Sequence, residues 1–148
     1  MGHCIRAIIG AHETVQKITD DWLVNEIELP QGFGMVFLTD RFLEDVEELM
    51  ELSDELVCPE LDYFSEAAAD MLERYSFHTK LIYVETDYFG GVGTQAGVLY
   101  ENGRIAIAPR KAAGTINILL RALGAWCKPG KDEFDSLGLG KYRHMPDE

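Results

Sequence analysis

The sequence predicts an α+β fold, in which an antiparallel or mixed sheet includes a C-terminal three-stranded meander and about four helices pack mainly on one side. Three observations predict it. Apolar residues recur at helical spacing in several separate segments. Short β-branched and aromatic runs lie between those segments. Finally, Asn102-Gly103 joins two strand-like runs, and this dipeptide favours a tight hairpin because both residues tolerate positive φ. The order strand–helix–strand, two helices, three strands and a helix fits helices stacked on one antiparallel sheet. At 148 residues the chain is expected to form a single domain over 1–148, large enough to bury a core without staples.

The elements follow in order. The apolar run Cys4–Ile9, ended by Gly10, reads as a strand. Val15, Ile18 and Trp22 then recur at helical spacing, which predicts a helix over 11–23. Pro30, Gly32 and Gly34 break the chain, and residues 35–39 form a second strand. Thr39 or Asp40 can cap the next helix, whose apolar stripe would be Phe42, Val46, Leu49 or Met50, and Leu56. Pro59 suits the first turn of a further helix, because its missing N–H costs nothing there. Leu61, Phe64, Ala67, Ala68, Met71, Leu72 and Tyr75 keep the helical period through that segment. Residues 80–89, 94–100 and 105–109 read as the three strands of the meander. A helix over 114–124 turns Ile116, Leu119, Leu120 and Leu123 inward and stops at Gly124. The tail is mostly irregular, with Phe134, Leu137 and Leu139 as anchors to the core.

Composition narrows the function classes. The chain carries 26 acidic and 13 basic residues, a net charge of −13. So acidic a protein is not expected to bind a nucleic-acid backbone or an anionic membrane. No stretch approaches the roughly 18–20 apolar residues of a membrane span. The N-terminal apolar run is too short and interrupted for a signal peptide. Cys4, Cys58 and Cys127 are far apart and show no metal spacing, so they read as reduced, buried thiols of a cytoplasmic protein.

The stretch "ETDYFGGVGTQAG" (85–97) is the most unusual local cluster. Its glycines sit between two predicted strands, where they turn the chain. The loop contains no lysine and leads into a strand, so neither a Walker phosphate loop nor a dinucleotide fingerprint fits. Glu85 and Asp87 project from one strand face about 7 Å apart at Cα, a spacing suited to acid/base work or a hard cation. A strand with one wet face produces the same pattern. An alternative ligand site is therefore Glu85, Asp87, Tyr88, Gly90, Gly91, Gly93 and Gln95, serving a small-molecule or metal-dependent enzyme. The four histidines are scattered, and no serine lies in GxSxG. No catalytic residue, cofactor or resident metal is assigned, and the reading leans away from an enzyme.

The charge map is more informative. From Asp40 to Tyr75 there are 13 acidic residues and two basic ones, whereas Arg104 to Arg143 holds eight basic residues against three acidic ones. Glu44, Glu47, Glu48, Glu51 and Glu55 recur at helical spacing as one stripe. Like charges four residues apart destabilise a helix, and a helix selected only for solubility would intersperse lysine or arginine. A solvated face is the plain reading of such a run. The functional reading is a docking surface for a basic protein, whose approach it would steer.

The blocks "ETDYFGGVGTQAGVLYENG", "INILLRALG" and "DEFDSLGLGKYR" resemble those of a group of small acidic bacterial proteins with no established activity. In size, acidity and single α+β domain the chain is similar in type to immunity proteins of bacterial toxin systems. The acidic helical face leads to the expectation of a non-enzymatic cytoplasmic binding protein for a basic protein partner, and the likeness of type implies that the partner is a toxin that it inhibits. Pairing of two copies through the meander edge would give a homo-oligomer.

Overall fold

The computed structural model describes residues 2–146. Six strands form one open sheet: β1 (Arg6–Ala11), β2 (Ile27–Glu28), β3 (Phe33–Phe37), β4 (Lys80–Phe89), β5 (Val92–Glu101) and β6 (Arg104–Lys111). Their order across the sheet is β2-β3-β1-β4-β5-β6, and every pairing is antiparallel. Five helices accompany it: α1 (His12–Trp22), α2 (Asp40–Met50), α3 (Glu66–Tyr75), α4 (Thr115–Leu123) and α5 (Glu133–Ser136). The class is α+β, and the sheet is antiparallel.

Side-chain alternation along the strands builds two cores. Ile8, Val36, Leu81, Tyr83 and Val98 point to one face and pack with Val15, Val46, Ala68 and Met71 of α1, α2 and α3. Ile9, Met35, Ile82, Val84 and Leu99 point to the other and pack with Leu119 and Leu120 of α4 and with Leu137 and Leu139. Helices thus cover both faces, with α1, α2 and α3 on one and α4 on the other. Both faces of the central strands are apolar, and an antiparallel sheet leaves a face wet only where that face is polar.

Two helix boundaries also differ from expectation. α2 starts where Thr39 accepts the Phe42 N–H at 3.1 Å, as capping chemistry predicts. It ends at Met50, with Glu51 in the left-handed region at φ 55°, instead of running on to Leu56. No helix begins at Pro59. α3 begins only after Ser65, whose hydroxyl accepts the Ala68 N–H at 3.3 Å. Leu61 and Phe64 are buried as their period implied, but from irregular chain. Periodicity reports burial, and a loop folded onto the sheet can bury the same positions that a helix would. β1 likewise continues through Gly10, which pairs with Gly34 and Leu81 instead of ending the strand. Burial of the thiols is corrected too: Cys4 and Cys127 are exposed and Cys58 is half-buried.

The β4–β5 hairpin joins the two expected strands, but β5 begins at Val92, two residues before its expected start. Gly90 and Gly91 form its turn with φ of 62° and 81°, the left-handed pair that a two-residue hairpin requires. Asn102 and Gly103 turn β5 into β6 in the same way, with φ of 53° and 78°.

Candidate functional site

The acidic stripe survives in part. Glu44, Glu47 and Glu48 lie on α2, and Glu51 sits at its C-cap. Glu55 leaves the stripe, because the left-handed turn at Glu51 redirects the chain. Its backbone is instead pinned beside α3, where its carbonyl accepts the Glu66 N–H at 2.9 Å. The segment after α2 folds back over the helix flank through a bridge between Leu56 and Ser65. Between them lies a shallow cavity of about 230 Å³, lined among others by Glu44, Glu47, Asp54, Leu56 and Tyr63. Leu56 and Tyr63 are 56% and 47% exposed, so an apolar centre stands open inside an acidic rim. Burial first, and then the charges of Asp54 and Glu44, push the Glu47 carboxyl above its ordinary range. Arg6 borders the same cavity, with its guanidinium 4.6 Å over the Tyr63 ring and 3.4 Å from Asp40.

Glu85 belongs to the fold rather than to an open ligand site. It points from β4 to the face covered by α1–α3 and is 5% exposed. Its Oε1 accepts the Asp62 N–H at 2.7 Å, and its Oε2 accepts the Tyr63 N–H at 2.8 Å and the Tyr83 hydroxyl at 2.6 Å. Burial and the adjacent Glu85 charge hold the Tyr83 hydroxyl well above its ordinary pKa, so it stays a proton donor. Lys111 ties the same loop from the other side, 2.8 Å from Asp62. Asp87 projects to the same face but is exposed. Among the described residues, no three His, Cys, Asp or Glu side chains converge as a metal site.

The opposite face of the same hairpin holds a different arrangement. Thr86, Tyr88 and Gln95 project there and, with α4 and the start of α5, line a cavity of about 330 Å³. Gly114 offers α4 no capping side chain, so Gln95 does that work from the sheet: its Oε1 accepts the Ile116 N–H at 2.8 Å. The Gln95 amide donates to the Tyr88 hydroxyl at 3.0 Å. Asn117 is held as firmly, donating to Asp132 at 3.0 Å and accepting the Phe134 N–H at 2.9 Å. Asp132 caps α5 by accepting the Asp135 N–H at 2.8 Å. At the back, His3 Nε2 donates to the Leu139 carbonyl at 3.1 Å, so Nδ1 accepts the Thr86 hydroxyl at 2.7 Å. Burial lowers the His3 pKa, which agrees with this neutral tautomer.

Of the predicted alternative site, Tyr88, Gly91 and Gln95 line this cavity, while Glu85 and Asp87 face away from it. Gly90 and Gly93 shape the hairpin without lining the cavity. His3, Thr86, Asn117, Asp132 and Phe134 were not singled out by sequence. His3 meets Thr86 across 83 positions and Leu139 across 136, and no local pattern carries such contacts. Residues 85–103, 116–124 and 132–143 meet at this cavity, through Tyr88 and Gln95, Ile116 and Asn117, and Asp132 and Phe134. No protein-family model, curated protein or solved structure matches the chain.

Proposed function

We propose that this protein is a non-enzymatic binding module that holds a basic protein through the surface between α2 and the 51–65 segment. The single observation behind this reading is the cavity where Leu56 and Tyr63 stand exposed inside a rim of Glu44, Glu47 and Asp54. Protein interfaces concentrate their binding energy in a few anchors, often aromatic, while rim charges set approach and orientation. Here the carboxylates repel one another in the free protein, and a lysine or arginine of the partner relieves that repulsion. Glu48 and Glu51 extend the negative field along α2, and Glu55 adds to it from the following loop. The biological form we favour is immunity-like inhibition of a basic toxin in the cytoplasm, on the likeness of this chain in size, acidity and single α+β domain to immunity proteins of bacterial toxin systems.

The test is capture on the immobilised protein at low salt, followed by elution at high salt, with wild type beside two variants. A stoichiometric basic protein is expected on wild type and on Glu13→Lys, which alters an exposed residue of α1. It should be absent from Glu44→Lys/Glu47→Lys. Equal capture by the double reversal overturns the reading, as does a salt-insensitive eluate, because exposed charges are screened over about 8 Å at physiological ionic strength.

A further inference from the structure

We propose that the cavity between the β4–β5 hairpin and α4 binds a nucleobase or nucleoside that carries an exocyclic amino group and no phosphate. The site lies on the opposite sheet face from the acidic surface and stands independently of that reading. Its volume of about 330 Å³ falls at the small end of ligand pockets, which run from about 300 to 1,000 Å³. A single base or nucleoside suits that space, and a dinucleotide exceeds it.

The polar groups are positioned from behind and keep capacity toward the cavity. Gln95 spends its oxygen on the Ile116 N–H and one amide proton on Tyr88, which leaves its second amide proton. Asn117 spends its oxygen on Phe134 and one proton on Asp132, which also leaves one proton. The Tyr88 hydroxyl accepts from Gln95 and retains its own proton. Asp132 accepts one bond on each oxygen and has lone pairs to spare. The cavity thus offers three neutral donors and one anionic acceptor. Carbonyl and ring-nitrogen acceptors of a base meet the donors, and its amino group meets Asp132, the chemistry by which amide and carboxylate side chains read base edges. Phe134, Ile116 and the Tyr88 ring supply apolar surface for a flat heterocycle.

Charge settles the absence of phosphate. Among the described residues Asp132 is the sole charged side chain lining the cavity, no lysine or arginine joins it, and His3 is neutral with both ring nitrogens engaged. A phosphate in the cavity would face the Asp132 carboxylate with no lysine or arginine in the described lining to offset it. The same argument excludes a base within a nucleic-acid strand.

Isothermal titration of the full chain with adenine, cytosine, guanine and their nucleosides tests this, with uracil, uridine and the 5′-monophosphates as comparators. At least one amino-bearing base or nucleoside should bind at least tenfold tighter than uridine and than its own monophosphate. Asp132→Asn retains the α5 cap and should lose that preference for the amino group. Tyr88→Phe should weaken binding about tenfold without unfolding the chain. No binding by any amino-bearing probe at about 1 mM, the weak end of specific association, overturns the proposal. Tighter binding of a monophosphate overturns it as well, as does affinity unchanged in both variants.

Discussion

Glu85 and Tyr63, on β4 and on the loop after α2, are joined by a 2.8 Å hydrogen bond from the Tyr63 backbone to the Glu85 carboxylate. With the Asp62 N–H at 2.7 Å on its other oxygen, this one buried side chain fixes the loop that presents the acidic surface. Bonds to an ionised acceptor are stronger than neutral ones, and orphaned donors are costly. Glu85→Ala should therefore lower stability by about 3–5 kcal/mol, and Glu85→Gln by about 1–2 kcal/mol. Denaturant unfolding measures both losses. Amide exchange at Asp62 and Tyr63 should accelerate most in the alanine variant, and unchanged exchange there would refute the tether.

Glu47 should show opposed effects on stability and binding. Its pKa is raised in the folded state, so the fold holds that proton more tightly than the unfolded chain does. Its contribution therefore turns unfavourable as pH rises above about 4.5. Glu47→Gln should stabilise the protein by about 0.2–0.5 kcal/mol at pH 7 and leave it unchanged near pH 3. The same variant should slow association with a basic partner, whereas Tyr63→Ala should mainly speed dissociation, since rim charge governs encounter and buried anchors govern release. Stopped-flow binding separates the two rates, and equal effects on both would remove the division of labour.

His12 provides a pH dependence of the same sign in a higher pH range. Its Nδ1 lies 2.6 Å from Glu26, and that hydrogen bond raises the histidine pKa above 6.5. The contact stabilises the fold fully below about pH 6.5 and is lost as pH rises through the folded pKa. In thermal melts His12→Gln should therefore lower Tm at pH 6 and leave it nearly unchanged at pH 9. A gap that stays constant with pH would mean that the imidazole acts by packing alone.

The glycines of the hairpin should not be interchangeable. A Cβ at Gly93 would collide with the Asp87 carbonyl and the Tyr88 backbone, whereas at Gly91 there is open space and only the left-handed φ of 81° resists it. Gly93→Ala should cost at least about 3 kcal/mol, and Gly91→Ala about 1–2 kcal/mol. Equal losses in urea unfolding would contradict the close backbone approach at Gly93.

The acidic and the small-molecule readings differed in what the sequence could reveal of them. The α2 carboxylates were visible because helical spacing is local, but their setting was not. Leu56 and Tyr63 become the open centre of that surface only after the chain turns at Glu51 and folds back. In the hairpin, the aromatic and amide residues Tyr88 and Gln95 were legible as a group. Their partners Asn117 and Asp132 were not, since those are delivered by α4 and the start of α5.

Features that depend on local backbone preference were legible in the amino-acid order. These are the span of β4, the glycine turn that ends it, the left-handed turn at Asn102-Gly103, and the stop of α4 at Gly124. Which faces those elements bury, and what becomes of a charge, depends on the packing of segments distant in sequence. Glu85 reads in sequence as a wet strand-end acid, yet it lies 5% exposed because two amides, 22 and 23 residues away, replace its water. Pro59 favoured a helix locally, but Leu61 and Phe64 found their burial against the sheet instead. A hydrophobic period records that a residue must leave water, and only the packing of distant segments decides how it does so.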